Sequence, residues 1–106
     1  MRKITIESNE AFLNSTPFKK QNMEVRVLAT ENNSPCWVGL FYHGNMIAER
    51  HINKRVNKLK ITNCGYFTNT TKERLNALPN VNLYQKKGVW YLNEKAWNGN
   101  LINIKQ

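Results

Sequence analysis

The run Trp37-Val38-Gly39-Leu40-Phe41-Tyr42-His43-Gly44-Asn45-Met46-Ile47-Ala48-Glu49 reads as two strands closed by a tight turn. Its first arm is aromatic and β-branched, which suits a pleated and largely buried surface. Gly44-Asn45 offers the positive φ angles that a two-residue hairpin turn needs. A hairpin at this point makes the sheet antiparallel, and the rest of the chain is read around it.

Toward the N-terminus, Glu31-Asn32-Asn33-Ser34-Pro35 is a loop by composition. Before it, Val25 and Val27 alternate with Arg26 and Leu28, as in a strand with one wetter face. The first segment predicts a short helix over 9–14 capped by Ser8, with Phe12 and Leu13 on its buried side. Thr5 is the alternative cap of a longer version, and Ser15-Thr16-Pro17 ends either one because the residue before proline is driven out of the helical region.

Toward the C-terminus, Leu59-Lys60-Ile61-Thr62 alternates like a strand and Asn63-Cys64-Gly65 turns it. Thr70-Thr71-Lys72-Glu73 has the form of a capping box, with the Thr70 hydroxyl on the Glu73 amide and the Glu73 carboxylate reaching back. Leu75 and Leu78 share one face of the helix that follows, and Pro79 ends it. Val81-Asn82-Leu83-Tyr84-Gln85, Lys86-Lys87-Gly88 and Val89-Trp90-Tyr91-Leu92 form a second hairpin with Gly88 in the turn. Leu101-Ile102-Asn103-Ile104 adds a last short strand. No repeat or linker divides residues 1–106. The expectation is one α+β domain: a mainly antiparallel sheet of about five or six strands with one or two short helices packed on a face.

Composition narrows the chemistry. The 106 residues carry 16 Lys and Arg against 7 acidic residues, a net charge of +9. All of the acids are Glu, so Asp-based metal sites, Asp-His couples and Asp nucleophiles are excluded. Cys36, His43, His51 and Cys64 lack the close pairs that local zinc knuckles use. There is no Gly-rich phosphate loop, no G-x-S-x-G and no H-E-x-x-H. The expectation is a protein with no catalytic residues, no metal and no cofactor. No run approaches the length of a membrane span and the N-terminus lacks the apolar core of a signal peptide, so neither insertion nor secretion is expected. Cys36 and Cys64 are then expected as buried or half-buried thiols in a reducing cytosol.

The positive charge is clustered. Lys54, Arg55, Lys58 and Lys60 form one run, Lys72 and Arg74 lie on the short helix, and Lys86 and Lys87 sit at a hairpin tip. Contacts from such residues to phosphates release condensed counterions irrespective of base sequence. Tyr66 and Tyr84, beside polar neighbours, are the candidate stacking residues, as in binders of single strands. Trp37, Phe41, Trp90 and Trp97 are expected in the core, which a small domain must fill with large apolar side chains. An acidic protein surface would be attracted by the same field.

Ile61-Thr62-Asn63-Cys64-Gly65-Tyr66-Phe67, Thr70-Thr71-Lys72-Glu73-Arg74-Leu75-Asn76-Ala77-Leu78-Pro79, Gln85-Lys86-Lys87-Gly88-Val89-Trp90-Tyr91-Leu92-Asn93 and Trp97-Asn98-Gly99 resemble a group of small phage-encoded proteins. The resemblance covers residues 42–99 closely and 1–14 loosely. It implies an origin rather than an activity, and gives the helix cap, Gly88 and Trp90 structural roles. In size and in its lack of enzyme motifs the chain is similar to anti-CRISPR proteins, but its +9 charge departs from their acidic, DNA-mimicking type. The resemblance therefore implies a non-enzymatic binder in the host cytoplasm, engaging guide RNA or an RNA–protein complex such as a host nuclease. Two alternatives stand beside it: a phage accessory factor on bare nucleic acid in replication or transcription, and a minor virion component. The oligomeric state is left open.

Overall fold

The computed structural model describes residues 1–53 and 57–105. Among these, α1 spans Lys3–Leu13 and α2 Asn69–Asn76. The strands are β1 Phe18–Lys20, β2 Met23–Glu31, β3 Ser34–Tyr42, β4 Asn45–Ile52, β5 Asn57–Ile61, β6 Leu83–Lys86, β7 Val89–Leu92, β8 Lys95–Ala96 and β9 Ile102–Ile104. An antiparallel six-stranded sheet runs β1-β2-β3-β4-β5-β9, and β6-β7-β8 form a separate three-stranded sheet. The α+β class is as expected. The division into two sheets was not legible, because the partner of β5 is the C-terminal β9 and not the following hairpin.

Tight turns set the registers. Positive φ at both central residues marks Asn32-Asn33 (52° and 65°), His43-Gly44 (50° and 79°), Lys87-Gly88 (52° and 79°) and Asn93-Glu94 (49° and 72°). This is the type I′ requirement, whose twist matches that of the flanking strands. The 31–35 segment is thus a two-residue turn with Pro35 already inside β3, and the β3–β4 turn lies one residue earlier than the sequence suggested.

Neither helix starts where local capping predicted. In α1, Thr5 and Ser8 are buried inside the helix and its N-cap, Arg2, makes no side-chain cap. The ends are held from elsewhere. Glu73 of α2 accepts from the Arg2 backbone N–H (3.2 Å) and the Thr5 hydroxyl (3.0 Å). Arg50 of β4 donates to the Phe12 carbonyl (2.5 Å), one of the orphan acceptors of the last turn, and to Ser15 Oγ (3.2 Å). The α2 helix begins two residues early, with the Thr68 hydroxyl accepting from the Thr71 N–H at 3.2 Å. That leaves Glu73 free to serve α1 instead of its own N-terminus.

The main core lies between the six-stranded sheet, α1, α2 and the small sheet. It joins Phe12, Val25, Val38, Leu40 and Ile61 to Leu75, Leu78, Trp90 and Trp97. Alternation turns the neighbouring residues to the other side of the large sheet. There, register aligns Arg26, Gly39, Glu49, Lys60 and Asn103 in one cross-strand row and Trp37, His51 and Lys58 in the next. Phe41 is buried on that opposite face, under the Arg26 guanidinium 4.0 Å from its ring centroid, and outside the main core cluster. Trp37 is only half-buried there, stacked on His51 with ring centroids 5.5 Å apart. Phe41 is buried as expected, though on this face, and the expectation of a buried Trp37 is corrected: an apolar residue on a strand does not say which face of the sheet is the interior.

Candidate nucleic-acid interface

The predicted residues that come together do so around the β6–β7 turn. The Lys87-Gly88 turn lifts two adjacent lysines away from the body, and both Lys86 and Lys87 are exposed. Beside them, α2 presents Lys72 to the hairpin. Its Nζ donates to Gln85 Oε1 at 3.1 Å and lies 5.5 Å from the Trp90 ring centroid. Tyr84 stacks on its cross-strand partner Tyr91, at 5.3 Å and 11° between planes, and remains 39 % exposed. Lys72, Tyr84, Gln85, Lys87 and Gly88 line an open cleft of about 630 Å³ between the helix and the hairpin.

The charge of this cleft is positive. Glu73 also lines it, but its carboxylate is turned to Arg2 and Arg74, at 3.2 Å and 2.6 Å. Desolvation pushes the Glu73 carboxyl up. The Arg2 N–H, the Thr5 hydroxyl and the charges of Arg2 and Arg74 outweigh this and hold it below the ordinary carboxylate value. It is therefore ionised and already matched. Among the described residues, no carboxylate lies within ion-pair distance of Lys72, Lys86 or Lys87.

The other predicted residues lie elsewhere. Arg74 is 1 % exposed, bonded to Glu73 and to the Thr5 hydroxyl. It is thus a strut between α1 and α2 and not a surface contact; burial lowers its pKa from the usual guanidinium value, against the charge of Glu73. Lys58 and Lys60 stand on β5, on the far face of the large sheet, across from His51 and Glu49. Tyr66 is at the β3–β4 end, its hydroxyl accepting from Asn45 Nδ2 (3.2 Å) and its ring edge-on to Tyr42. Lys54 and Arg55 lie outside the described residues. The described basic residues thus form two groups on different elements.

Sequence reasoning missed several side chains. Glu49 and His51 share a 2.7 Å hydrogen bond on β4, with Glu49 buried. Residues two apart on a strand share a face, so the spacing was there to be read. Gln85 also escaped notice: it anchors Lys72. Phe67 packs edge-on against Trp90 at 5.1 Å. Among the described residues, no three His, Cys or Glu side chains gather as a metal site would require, and no helix is long and apolar enough to cross a membrane. Cys36 and Cys64 are unpaired; Cys36 is half-buried as expected, whereas Cys64 is exposed, its thiol donating to the Met46 carbonyl at 3.0 Å.

Chemically, the cleft offers ammonium groups, a Gln amide and an exposed phenol ring, the group types that can meet phosphate oxygens and stack on a base. In comparison with known proteins, a family model described as Kyanoviridae Gp96 protein matches residues 1–103. No curated protein and no solved structure matches the chain.

Proposed function

Since the chain belongs to the Kyanoviridae Gp96 protein family, a family of phage proteins, we propose that it is a non-enzymatic phage binding protein that engages RNA through the α2–hairpin cleft. It acts in the host cytoplasm against an RNA-guided nuclease, by occupying guide RNA or an RNA-covered face of the complex. The observation that carries this reading is the pair of lysines without a carboxylate partner, Lys72 and Lys87, beside the exposed Tyr84 ring in one cleft, with Lys86 next to it on the hairpin. Each phosphate contact made there releases counterions, so binding tightens as salt is lowered. The net charge of +9 favours a polyanion over a neutral partner.

The test is charge reversal. A K72E/K87E variant is expected to bind labelled single-stranded RNA at least about tenfold more weakly, with a salt slope shallower by about 1.4 for two lost phosphate contacts. Reversal of Lys58, on the far sheet face, is expected to leave binding unchanged. An RNA-guided nuclease assayed with and without the protein decides the setting. Unchanged RNA affinity in K72E/K87E refutes the interface. Tight, salt-steep binding to bare strands without nuclease inhibition points to an accessory factor, and stoichiometric presence in purified particles to a virion component.

A further inference from the structure

The β6–β7 turn has a second side. Gly88 lines the basic cleft and also a neighbouring groove of about 510 Å³, whose walls include Phe67, Val89, Trp90, Trp97 and Asn98. Phe67 and Val89 are left 55 % and 44 % exposed, an expensive arrangement for large apolar side chains in a chain this polar. The floor is rigid. Trp90 and Trp97 are buried, 6.4 Å apart at their centroids, and the Trp97 indole N–H donates to the Asn100 carbonyl at 2.9 Å. Phe67 stands edge-on to Trp90 on this side, while Lys72 approaches the same indole from the cleft. One tryptophan thus joins a cationic site to an aromatic one across a single hairpin turn.

We propose that this groove receives an unpaired nucleobase of the strand whose phosphates occupy the Lys72–Lys87 cleft. The inference rests on the reading of that cleft as an RNA interface. A base matches what the groove offers: a flat apolar face for the exposed Phe67 ring and the Val89 side chain, over a floor of buried indoles, and a polar edge for the Asn98 amide at the rim. It arrives tethered to a phosphate, which is what the adjoining lysines attract. An aliphatic side chain of a protein partner would fill the groove but leave the neighbouring cations unmatched. A paired base cannot leave its stack without cost, so the groove makes the protein prefer single strands.

F67A gives up the edge-on contact with Trp90, so a melting temperature a few degrees lower is expected, with the protein still folded at the temperature of the binding assay. F67A is expected to weaken binding of single-stranded RNA about tenfold while leaving the salt slope and the affinity for duplex RNA as they are. Wild-type protein is expected to bind an abasic strand of the same length at least as weakly as F67A binds the normal one, since stacking on Tyr84 is lost as well. If F67A or the abasic strand binds like wild type while K72E/K87E still loses affinity, the groove proposal falls and the cleft stands. If neither F67A nor K72E/K87E changes RNA affinity, both fall. If F67A abolishes nuclease inhibition but not RNA binding, the groove docks a protein and the nucleobase is refuted.

Discussion

Replacing Glu73 by alanine tests whether the N-terminal helix is held by a carboxylate from another helix. Glu73 accepts from the Arg2 N–H, the Thr5 hydroxyl and the Arg74 guanidinium at 3.2, 3.0 and 2.6 Å. E73A removes all of these and leaves Arg74, 1 % exposed, without its countercharge and with Nε already lacking a partner. Stripping one member from a buried pair costs about 3–5 kcal/mol. Because the Glu73 side chain is 23 % exposed, water offsets part of that, and the lower end, about 3 kcal/mol, is expected. For a chain of this size that is a fall in Tm of about 12–20 °C. Urea unfolding followed by far-UV circular dichroism reads it, with an unchanged m-value as the check that only stability moved. An E73A/R74M double variant is expected to recover part of the loss, because no orphan charge remains. The pH dependence has a fixed sign. A carboxyl whose folded pKa lies below its unfolded value stabilises fully above the ordinary Glu range and loses that contribution as pH falls through the folded value. The stability gap between wild type and E73Q should therefore close below about pH 4. A cost under about 1 kcal/mol for E73A, or a gap that persists in acid, would mean that Glu73 is only a screened rim charge.

Gly99 has φ +89°, and a methyl group there would stand 2.2 Å from Asn63 Oδ1, which accepts the Gly65 N–H at 2.8 Å. G99A is therefore expected to cost about 2–4 kcal/mol, from left-handed backbone strain plus a displaced buried hydrogen bond; a thermal melt within about 1 kcal/mol of wild type contradicts it. Lys87 occupies the first central position of its turn with φ 52°. K87N is expected to stabilise the hairpin by up to about 1 kcal/mol, since Asn-Gly suits a type I′ turn, and at the same time to weaken RNA binding. If affinity rises along with stability, Lys87 is a turn residue and not a phosphate contact.

Local chemistry made much of the scaffold readable. Strand alternation around Val25, the aromatic run to Tyr42 and the Lys87-Gly88 turn each act over a few residues, and each gave an element close to its place. Leu75 correctly marked the buried face of α2, whereas Leu78 is buried two residues past the end of the helix, which stops at Asn76 and not at Pro79. Around the α2–hairpin cleft, Lys86, Lys87 and Tyr84 are exposed as the sequence suggested, because residues at a hairpin tip have little but water around them, while Lys72 on the short helix is held by Gln85 and Trp90. Arg74 was misread as a surface contact. An arginine two positions from Lys72 looks solvated until α1 is folded over it.

The amino-acid order alone determined the turns, the strand periods, the absence of Asp chemistry and a charge of +9. Tertiary structure decided how those parts face one another. It capped α1 with Glu73 and Arg50, placed Trp37 and Phe41 outside the main core, and separated Lys58 and Lys60 from the lysines of the hairpin. The physical reason is range. Turn and strand preferences are energies between near neighbours in the chain, whereas the faces of a sheet and the partners of a buried charge depend on which distant segments exclude water together.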